Sequence, residues 1–187
     1  MRIIAGAFKG RRLAPVKGLI RPTGAKVREA VFNILGAAVL NARVLDLCAG
    51  TGALGIEALS RGAQDAVFVE DHPESLKVLR RNLESLGLQE RTRVLPVAVL
   101  AALKKLKVRD EKFDLAFLDP PYGGELAAAA IRALGTANIM APSGWVVAEH
   151  SRRDRLPETA GLLTRRDLRR YGDTQVAFYQ SASDKVE

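Results

Sequence analysis

Between residues 43 and 149, short apolar runs alternate with longer segments whose apolar residues recur at helical spacing. Strands that alternate with helices in this way form a mostly parallel sheet with helices on both faces. The predicted fold class is therefore α/β. The predicted strands are Arg43–Leu47, Ala66–Glu70, Arg93–Val97, Phe113–Leu118 and Trp145–Glu149, and the predicted helices are Ala53–Ser60, Glu74–Leu86, Ala101–Lys107 and Leu126–Leu134.

The N-terminal residues depart from this alternation. Arg2–Ala5 and Arg11–Ala14 predict two short strands of a hairpin that turns at glycines, and we expect this hairpin to be an appendage. Apolar residues at helical spacing predict a helix over Ala25–Leu40, with Thr23 as its N-cap.

The C-terminal residues predict a second hairpin, formed by antiparallel strands over Gly161–Leu168 and Thr174–Tyr179. A chain of 187 residues with 48% hydrophobic content can form one ordinary core. We therefore predict a basic N-terminal hairpin extension, residues 1–20, and one larger domain, residues 21–187.

The net charge of +8 is concentrated in two segments. Residues 1–31 hold eight Lys or Arg against one acid, and residues 150–170 hold seven Arg against three acids. Basic segments on either side of a near-neutral block indicate a polyanionic partner, although solvated surface charge is the alternative. For Lys26 and Arg28, structural salt bridging is nearly as plausible. The candidate phosphate contacts are Arg2, Lys9, Arg11, Arg12, Arg21, Lys26, Arg28, Arg152, Arg153 and Arg155.

Cysteine usage and hydropathy bear on the cellular compartment. Cys48 is the only cysteine, so no internal disulfide can form. The sequence has no signal-like N-terminus and no apolar run long enough to span a membrane, so we expect a cytoplasmic protein without a membrane partner. We also expect a monomer. His72 and His150 have no Cys or His at ligand spacing, and we predict no metal site.

A glycine-rich loop follows the first predicted strand. Gly50, Gly52 and Gly55 match the spacing of the dinucleotide fingerprint, and Glu70 ends the next strand. Asp46 suits the ammonium group of a methionine moiety but would repel a pyrophosphate. These residues favour S-adenosylmethionine over a nicotinamide cofactor. A glycine turn without a ligand is the third interpretation.

Asp119-Pro120-Pro121-Tyr122 follows the predicted strand Phe113–Leu118. The Asp119 carboxylate and the Pro120 carbonyl could accept both hydrogens of an amino group, and the two prolines would fix the geometry. Tyr122 offers a flat face to a nucleobase. The pattern indicates methyl transfer to an amino nitrogen, and a proline-terminated strand and turn is the alternative.

Two segments resemble class I S-adenosylmethionine-dependent methyltransferases that modify exocyclic amino groups, namely Val44–Ala63 and Phe113–Tyr122. Three more, Arg2–Leu13, Arg21–Asn33 and Tyr171–Thr174, narrow the resemblance to the bacterial small-subunit (16S) ribosomal RNA guanine-N2 methyltransferase family, RsmD. The resemblance covers nearly the whole chain. It implies a Rossmann-like fold and S-adenosylmethionine as methyl donor, with S-adenosylhomocysteine as product. The implied acceptor is the N2 amino group of a guanine in small-subunit ribosomal RNA, within an assembling subunit.

The resemblance also implies residue roles. The methionine end of the cofactor would be held by Asp46, Cys48, Ala49, Gly50, Thr51 and Gly52, and its ribose by Glu70, with Asp71 and Ala98 completing the cofactor set. Asp119–Tyr122 would hold the guanine. Two positions depart from the family pattern: Ala25 replaces an acid after the Arg-Pro-Thr run, and Ala98 replaces an Asp that often ends the third strand. At Ala98 we expect altered affinity with activity retained.

Other functions remain open at this point. A DNA or RNA adenine methyltransferase could use the same tetrapeptide, but little chain remains for a separate base-reading domain. A protein-glutamine methyltransferase would be expected to carry Asn at position 119 and less basic flanks. A non-catalytic RNA-binding ribosome assembly factor could keep the fold as a scaffold.

Overall fold

A computed structural model describes residues 1–16, 24–121, 123 and 125–183. Within these ranges, eight strands form one sheet in the order β3-β2-β1-β4-β5-β8-β7-β6. The strands are β1 Arg43–Leu47, β2 Asp65–Val69, β3 Thr92–Leu95, β4 Phe113–Leu118, β5 Met140–Ser151, β6 Thr159–Ala160, β7 Leu163–Tyr171 and β8 Thr174–Ser181. The helices are α1 Ala25–Leu35, α2 Ala53–Ser60, α3 Pro73–Ser85, α4 Val99–Val108 and α5 Leu126–Ala137.

Strands β1 to β5 are paired in parallel, and β5 to β8 are paired antiparallel. The central strands are buried on both faces, which explains why β1 reads as an almost continuous apolar run. The α/β prediction is confirmed, and β1, α2 and β4 begin and end where the sequence predicts. Strand β5 is longer than predicted because Met140 also pairs with β4 across a register shift.

The core consists of two apolar layers, one on each face of the sheet. Phe32 of α1, Leu59 of α2 and Leu79 of α3 belong to one layer, together with Phe68 and Phe117 of the sheet. Helices α4 and α5 contribute to the layer on the other face. Helices therefore cover both faces, as the alternating sequence pattern predicts.

Helix α1 begins at Ala25 as predicted, but it ends at Leu35 rather than at Leu40. It begins after Gly24, which makes no side-chain cap, and it gives way to a 3-10 turn over Gly36–Val39. The change coincides with a left-handed backbone at Gly36, where φ is 51°. The predicted cap, Thr23, lies outside the described residues.

The two predicted strands of the N-terminal hairpin are reduced to one antiparallel bridge, which joins Arg2 and Arg12. The expectation that it is an appendage is wrong. Ile3 and Leu13 are each only 3% exposed and belong to the main core. Burial of an aliphatic side chain contributes about 1.5–3 kcal/mol, so these two residues fix the segment to the domain.

Glu57 of helix α2 holds the start of this segment. Its carboxylate accepts hydrogen bonds from the Ile4 N–H at 2.8 Å and the Ala5 N–H at 3.0 Å. The same carboxylate pairs with Arg61 at 2.8 Å and lies 3.8 Å from the Arg28 Nε. Arg28 in turn donates to the Arg2 carbonyl at 2.9 Å. A buried ionic cluster therefore connects α1, α2 and the N-terminal segment.

The C-terminal hairpin is confirmed. Strands β7 and β8 pair antiparallel and are joined by a two-residue turn at Gly172 and Asp173. Strand β6 was not predicted, because its two residues are too short to give a sequence pattern. The hairpin extends the sheet beyond β5.

Replacing Glu57 with Ala should destabilise the protein by about 3–5 kcal/mol, because Arg28 would be left buried without its counter-charge. Urea denaturation of the parent and the variant would measure this difference. The matched control is Glu74→Ala, which removes an exposed carboxylate paired with Lys77 and should change stability by less than about 0.5 kcal/mol. Equal effects of the two substitutions would contradict a structural role for the buried cluster.

Candidate cofactor and acceptor site

The candidate site lies where three neighbouring parallel strands end. In the register of the sheet, Leu47 of β1 is opposite both Val69 of β2 and Leu118 of β4. The residues that follow these strands are therefore close together, at the sheet edge where α/β proteins bind ligands. Glu70 follows β2 and Asp119 follows β4, so the structure brings the predicted cofactor and acceptor groups to the same edge.

The loop between β1 and α2 is tightly turned. Cys48, Gly50 and Gly52 have φ values of 60°, 55° and 82°. The Ala49 N–H donates to the Val69 carbonyl at 3.0 Å, and the Gly52 N–H donates to the Ala49 carbonyl at 2.7 Å. A Cβ on Gly50 would meet no atom within 4 Å, so open space lies beside the loop where a ligand could approach.

Asp46 is buried beneath this loop. Its side chain is 1% exposed and accepts a hydrogen bond from the Gly55 N–H at 2.9 Å. Burial raises the pKa of Asp46 to about 7, the charge of Glu70 adds to the increase, and the Gly55 hydrogen bond opposes it. Gly55 is required at its position because a Cβ there would lie 2.4 Å from the Phe68 ring.

Glu70 is bonded to the loop as well as placed beside it. One of its carboxylate oxygens accepts from the Gly50 N–H at 2.7 Å, and the other accepts from the N–H groups of Asp71 at 3.0 Å and His72 at 2.9 Å. The carboxylate is thus fixed at the carboxyl end of β2. The oxygen that accepts from Gly50 has further acceptor capacity, whereas the other oxygen already accepts two hydrogen bonds. The predicted role of Glu70 at a ribose stays a prediction.

The environment of Cys48 shows the electrostatic character of the site. Burial raises the pKa of the Cys48 thiol, and the carboxylates of Glu70, Asp119, Asp46 and Asp71 raise it further, in that order. A thiol with a raised pKa is a poor nucleophile, which agrees with a packing role. Four carboxylates lie close enough to affect this thiol, which indicates a negative environment around the loop.

This negative environment fits a cationic ligand. Among the described residues, neither Asp46 nor Glu70 has a Lys, Arg or His partner in an ion pair. The ammonium and sulfonium charges of S-adenosylmethionine would supply the missing counter-charge, whereas the pyrophosphate of a nicotinamide cofactor would be repelled. The residues present therefore fit S-adenosylmethionine.

The tetrapeptide begins directly beside the loop. The Asp119 N–H donates to the Leu47 carbonyl at 3.4 Å, which links the end of β4 to the end of β1. Asp119 is half-buried, Pro120 is buried and Pro121 is exposed. Tyr122 lies outside the described residues, so its stacking role stays a prediction.

A cleft of about 300 Å³ connects the tetrapeptide region with the second basic group. It is lined by Gly123, Ser151, Arg152, Arg153, Asp154 and Asp173. The Arg152 N–H donates to the Asp173 carbonyl at 3.0 Å, and the Arg153 N–H donates to the Ser151 hydroxyl at 3.2 Å. The turn after β5 therefore places both arginines at a cleft that Gly123, two residues after Pro121, also lines. Arg155 is exposed nearby in sequence.

The first basic group divides between surface and interior. Arg2, Lys9, Arg11, Arg12 and Lys26 are exposed. Arg28 is only 2% exposed and lies close to Glu57, so its predicted phosphate contact is corrected to a structural ion pair. Burial lowers the pKa of Arg28, while Glu57 opposes this effect. Arg21 lies outside the described residues.

Ala98 and Asp71 follow β3 and β2, as expected of cofactor contacts. Ala98 is exposed and is the N-cap of α4, just beyond β3, which neighbours β2 in the sheet. Asp71 is exposed beside Glu70. Both remain predicted cofactor contacts.

The sequence reasoning missed Asn82. This residue lies on the apolar face of α3 with Leu79 and Leu83 and is 2% exposed. Its side chain is hydrogen-bonded both to Ala14 of the N-terminal segment and to Thr51 of the glycine-rich loop. An amide at a core position of an amphipathic helix is the sequence signal that could have identified it.

Within the described ranges, no helix is long and apolar enough to cross a membrane. No group of three or more metal-binding side chains was found among the same residues.

Comparisons with known proteins place the chain among methyltransferases. The family model described as Conserved hypothetical protein 95 matches residues 1–180. A Bacillus subtilis protein named "Putative rRNA methyltransferase YlbH" is 39% identical, over 96% of this chain and 98% of its own length. The Haemophilus influenzae "Ribosomal RNA small subunit methyltransferase D" is 37% identical, over 80% of this chain and 78% of its own length.

Solved structures give the same result. The Escherichia coli "Putative methyltransferase yhhF" superposes with a TM-score of 0.86 at 30% identity, over 98% of this chain and 99% of that one. The Thermus thermophilus 16S rRNA N2 methyltransferase RsmC, in complex with AdoMet and guanosine, superposes with a TM-score of 0.70 at 25% identity. The latter match covers 88% of this chain and 44% of RsmC.

The fold and the carboxylate-lined loop define a class I S-adenosylmethionine-dependent methyltransferase. Within this class, the chain belongs to the RsmD family of ribosomal RNA small subunit methyltransferases.

The pKa of about 7 at Asp46 predicts that cofactor binding depends on pH. In the cofactor-free folded protein, the raised pKa keeps the Asp46 carboxyl protonated at pH values where it is already ionised in the unfolded chain. Folding stability therefore decreases as the pH rises from 3.8, the ordinary pKa of the group, toward 7. A cationic cofactor reverses this preference. Its affinity should therefore increase about tenfold from about pH 5.5 to about pH 7.5, as measured by calorimetry.

The control for this prediction is Asp46→Asn. The variant should bind S-adenosylmethionine more weakly, without the increase over the same pH range. It also separates Asp46 from the cofactor's own amino group, which titrates at about pH 8. A pH profile equally steep in both proteins would show that another group titrates.

Proposed function

We propose that this protein transfers a methyl group from S-adenosylmethionine to the exocyclic N2 amino group of a guanine in small-subunit ribosomal RNA. The observation that carries the proposal is the position of Asp119. It lies beside a loop whose carboxylates lack cationic partners among the described residues, and its own charge acts on the thiol of that loop. A donor site and an acceptor site therefore share one edge of the sheet.

The cofactor supplies a methyl group that is already electrophilic because it is bound to a sulfonium. The residues of the chain have to hold the donor and place the acceptor nitrogen in line with it. Asp46 and Glu70 would bind the ammonium and the ribose, and the open face at Gly50 would allow close approach. Ala49, Thr51, Cys48 and Gly52 would shape the methionine site, and Asp71 and Ala98 would lie toward the nucleoside.

Asp119 would act on the acceptor. The lone pair of a nucleobase amino group is delocalised into the ring, so the nitrogen is a poor nucleophile. A hydrogen bond from the amino group to the Asp119 carboxylate raises electron density on the nitrogen and stabilises the positive charge that develops during transfer. The carboxylate can then take or relay the proton, and the Pro120 carbonyl can accept the second N–H.

The choice of guanine is supported by the relatives. The Haemophilus influenzae relative is named a ribosomal RNA small subunit methyltransferase, and RsmC, named a 16S rRNA N2 methyltransferase, was solved with guanosine. A base inside a helix must leave its stack to reach such a site, and Tyr122 would provide a stacking partner. The acceptor RNA would be encountered in the cytoplasm by a monomeric enzyme, within an assembling subunit.

The two basic groups would bind the RNA backbone. Arg152 and Arg153 line the cleft next to Gly123, so they would hold phosphates close to the target nucleotide. The exposed basic residues of the first group would hold more distant phosphates. Residues 1–20 would thus contribute part of the RNA affinity, and residues 21–187 would contain the catalytic centre and the remaining phosphate contacts.

Replacing Asp119 with Ala should reduce methyl transfer by at least about 10²-fold while S-adenosylmethionine still binds, because the group that receives the proton is lost. Single-turnover transfer from labelled cofactor would measure the loss. Asp114→Ala is the control, since Asp114 is an exposed carboxylate near the opposite end of the same strand and should not affect turnover. A loss within about tenfold at Asp119 would rule out this assignment.

Removing two phosphate contacts should weaken the salt dependence of RNA binding. For Arg11→Ala combined with Arg12→Ala, the slope of log affinity against log salt should decrease in magnitude by about 1.4–1.8, measured by filter binding to a 16S ribosomal RNA transcript. Lys104→Ala combined with Lys105→Ala removes the same charge from α4, which packs on the other face of the sheet, and should leave the slope unchanged. Equal slopes for the first double variant and the parent would assign Arg11 and Arg12 to solvated surface.

A further inference from the structure

Asn82 links the N-terminal segment to the cofactor loop through one buried amide. Its side-chain carbonyl accepts the Ala14 N–H at 2.8 Å. Its NH₂ group donates to the Thr51 carbonyl at 3.0 Å and to the Ala14 carbonyl at 3.3 Å. One side chain therefore satisfies backbone groups from two elements that are 37 residues apart, as counted from Ala14 to Thr51.

The Thr51 contact fixes a peptide that shapes the loop. The Thr51 carbonyl belongs to the peptide whose N–H is that of Gly52, and this N–H closes the loop turn at 2.7 Å on the Ala49 carbonyl. Gly52 has a left-handed backbone, and a Cβ there would lie 2.5 Å from Leu79, so the loop has little freedom to adjust. The orientation of this peptide depends directly on Asn82.

The Ala14 contact reaches the basic surface. Ala14 comes two residues after Arg12. The Arg11 guanidinium donates at 2.8 Å to the carbonyl of Ser85, which lies on α3, the helix that also carries Asn82. The Ser85 hydroxyl donates to the backbone carbonyl of Asn82 at 2.9 Å. Helix α3 thus holds the basic part of the N-terminal segment at Ser85 and its continuation at Asn82.

We propose that Asn82 is a positioning residue that couples RNA binding on the N-terminal segment to cofactor binding in the loop. This inference rests on the proposed function. RNA held by Arg11 and Arg12 restrains the segment, the segment holds the Asn82 amide, and the amide holds the Thr51 peptide in its binding conformation. Because coupling between two sites is reciprocal, bound cofactor strengthens RNA binding by the same factor.

Ser60 provides a matched comparison. Its hydroxyl also anchors the N-terminal segment, by accepting the Phe8 N–H at 3.0 Å and donating to the Ala5 carbonyl. It lies at the end of α2 farthest from the loop that precedes this helix. Asn82 and Ser60 are both buried anchors of one segment, but only Asn82 also contacts the loop.

The experiment measures the dissociation constant of S-adenosylhomocysteine by calorimetry, with and without a 16S ribosomal RNA transcript. The product is used so that no methyl transfer occurs during the titration. In the parent protein, RNA should tighten binding by at least about fivefold. Asn82→Asp keeps the acceptor for Ala14 but loses both donors, so it should weaken binding to the free protein and reduce the RNA effect to less than about twofold.

Two further variants separate coupling from folding. Ala14→Pro removes the N–H that bonds to the Asn82 side-chain carbonyl but keeps the Ala14 carbonyl that accepts from Asn82. It should reduce the RNA effect, and it should weaken binding of S-adenosylhomocysteine to the free protein less than Asn82→Asp does, because the contact between Asn82 and Thr51 is retained. Ser60→Ala should keep the full RNA effect. If Asn82→Asp shows no cooperative thermal transition and is therefore not folded, the RNA effect in Ala14→Pro alone tests the coupling.

Three results would overturn the coupling: no RNA effect in the parent, an undiminished effect in Ala14→Pro, or an equal loss in Ser60→Ala. The proposed function is tested by a separate measurement, methyl transfer by the parent protein. Transfer without any RNA effect on binding would reject only the coupling, and absence of transfer would reject the proposed function.

Discussion

The parallel pairing of β1 with β2 and with β4 is the constraint on which the site depends. It brings the carboxyl ends of three strands to one edge, so that Asp46, Glu70 and Asp119 surround a single loop. Such a concentration of negative charge is unfavourable in the free protein, and burial makes it more so at Asp46. A cationic cofactor relieves this repulsion, which makes the same arrangement selective for a sulfonium over a pyrophosphate.

Much of the fold could be predicted because its signals are local. The apolar runs of β1 and β4 and the glycines before α2 define their elements without reference to the rest of the chain. The proximity of Glu70 and Asp119 could be predicted because parallel topology determines where strand ends meet. The length of β5 could not, because its first residues pair with β4 only across a register shift.

The sequence does not show which charged residues are buried and which are exposed. Arg28 and Arg11 look alike in the sequence, but Arg28 faces Glu57 in the interior while Arg11 is exposed. This distinction depends on how the N-terminal segment packs on α2 and α3, which no local pattern encodes. The sequence does show an amide at a core position of α3, but it does not show the partners of Asn82, which are backbone groups distant in sequence. The N-terminal segment is thus both part of the core and the bearer of surface charge.

The most direct test of the account is to map the nucleotide that receives the methyl group. The parent protein would be incubated with methyl-labelled S-adenosylmethionine and either naked 16S ribosomal RNA or partly assembled small subunits, and the product nucleosides would be separated and identified. The account predicts label on the N2 nitrogen of a guanine at one position. Label on an adenine, on protein, or on neither RNA substrate would contradict it.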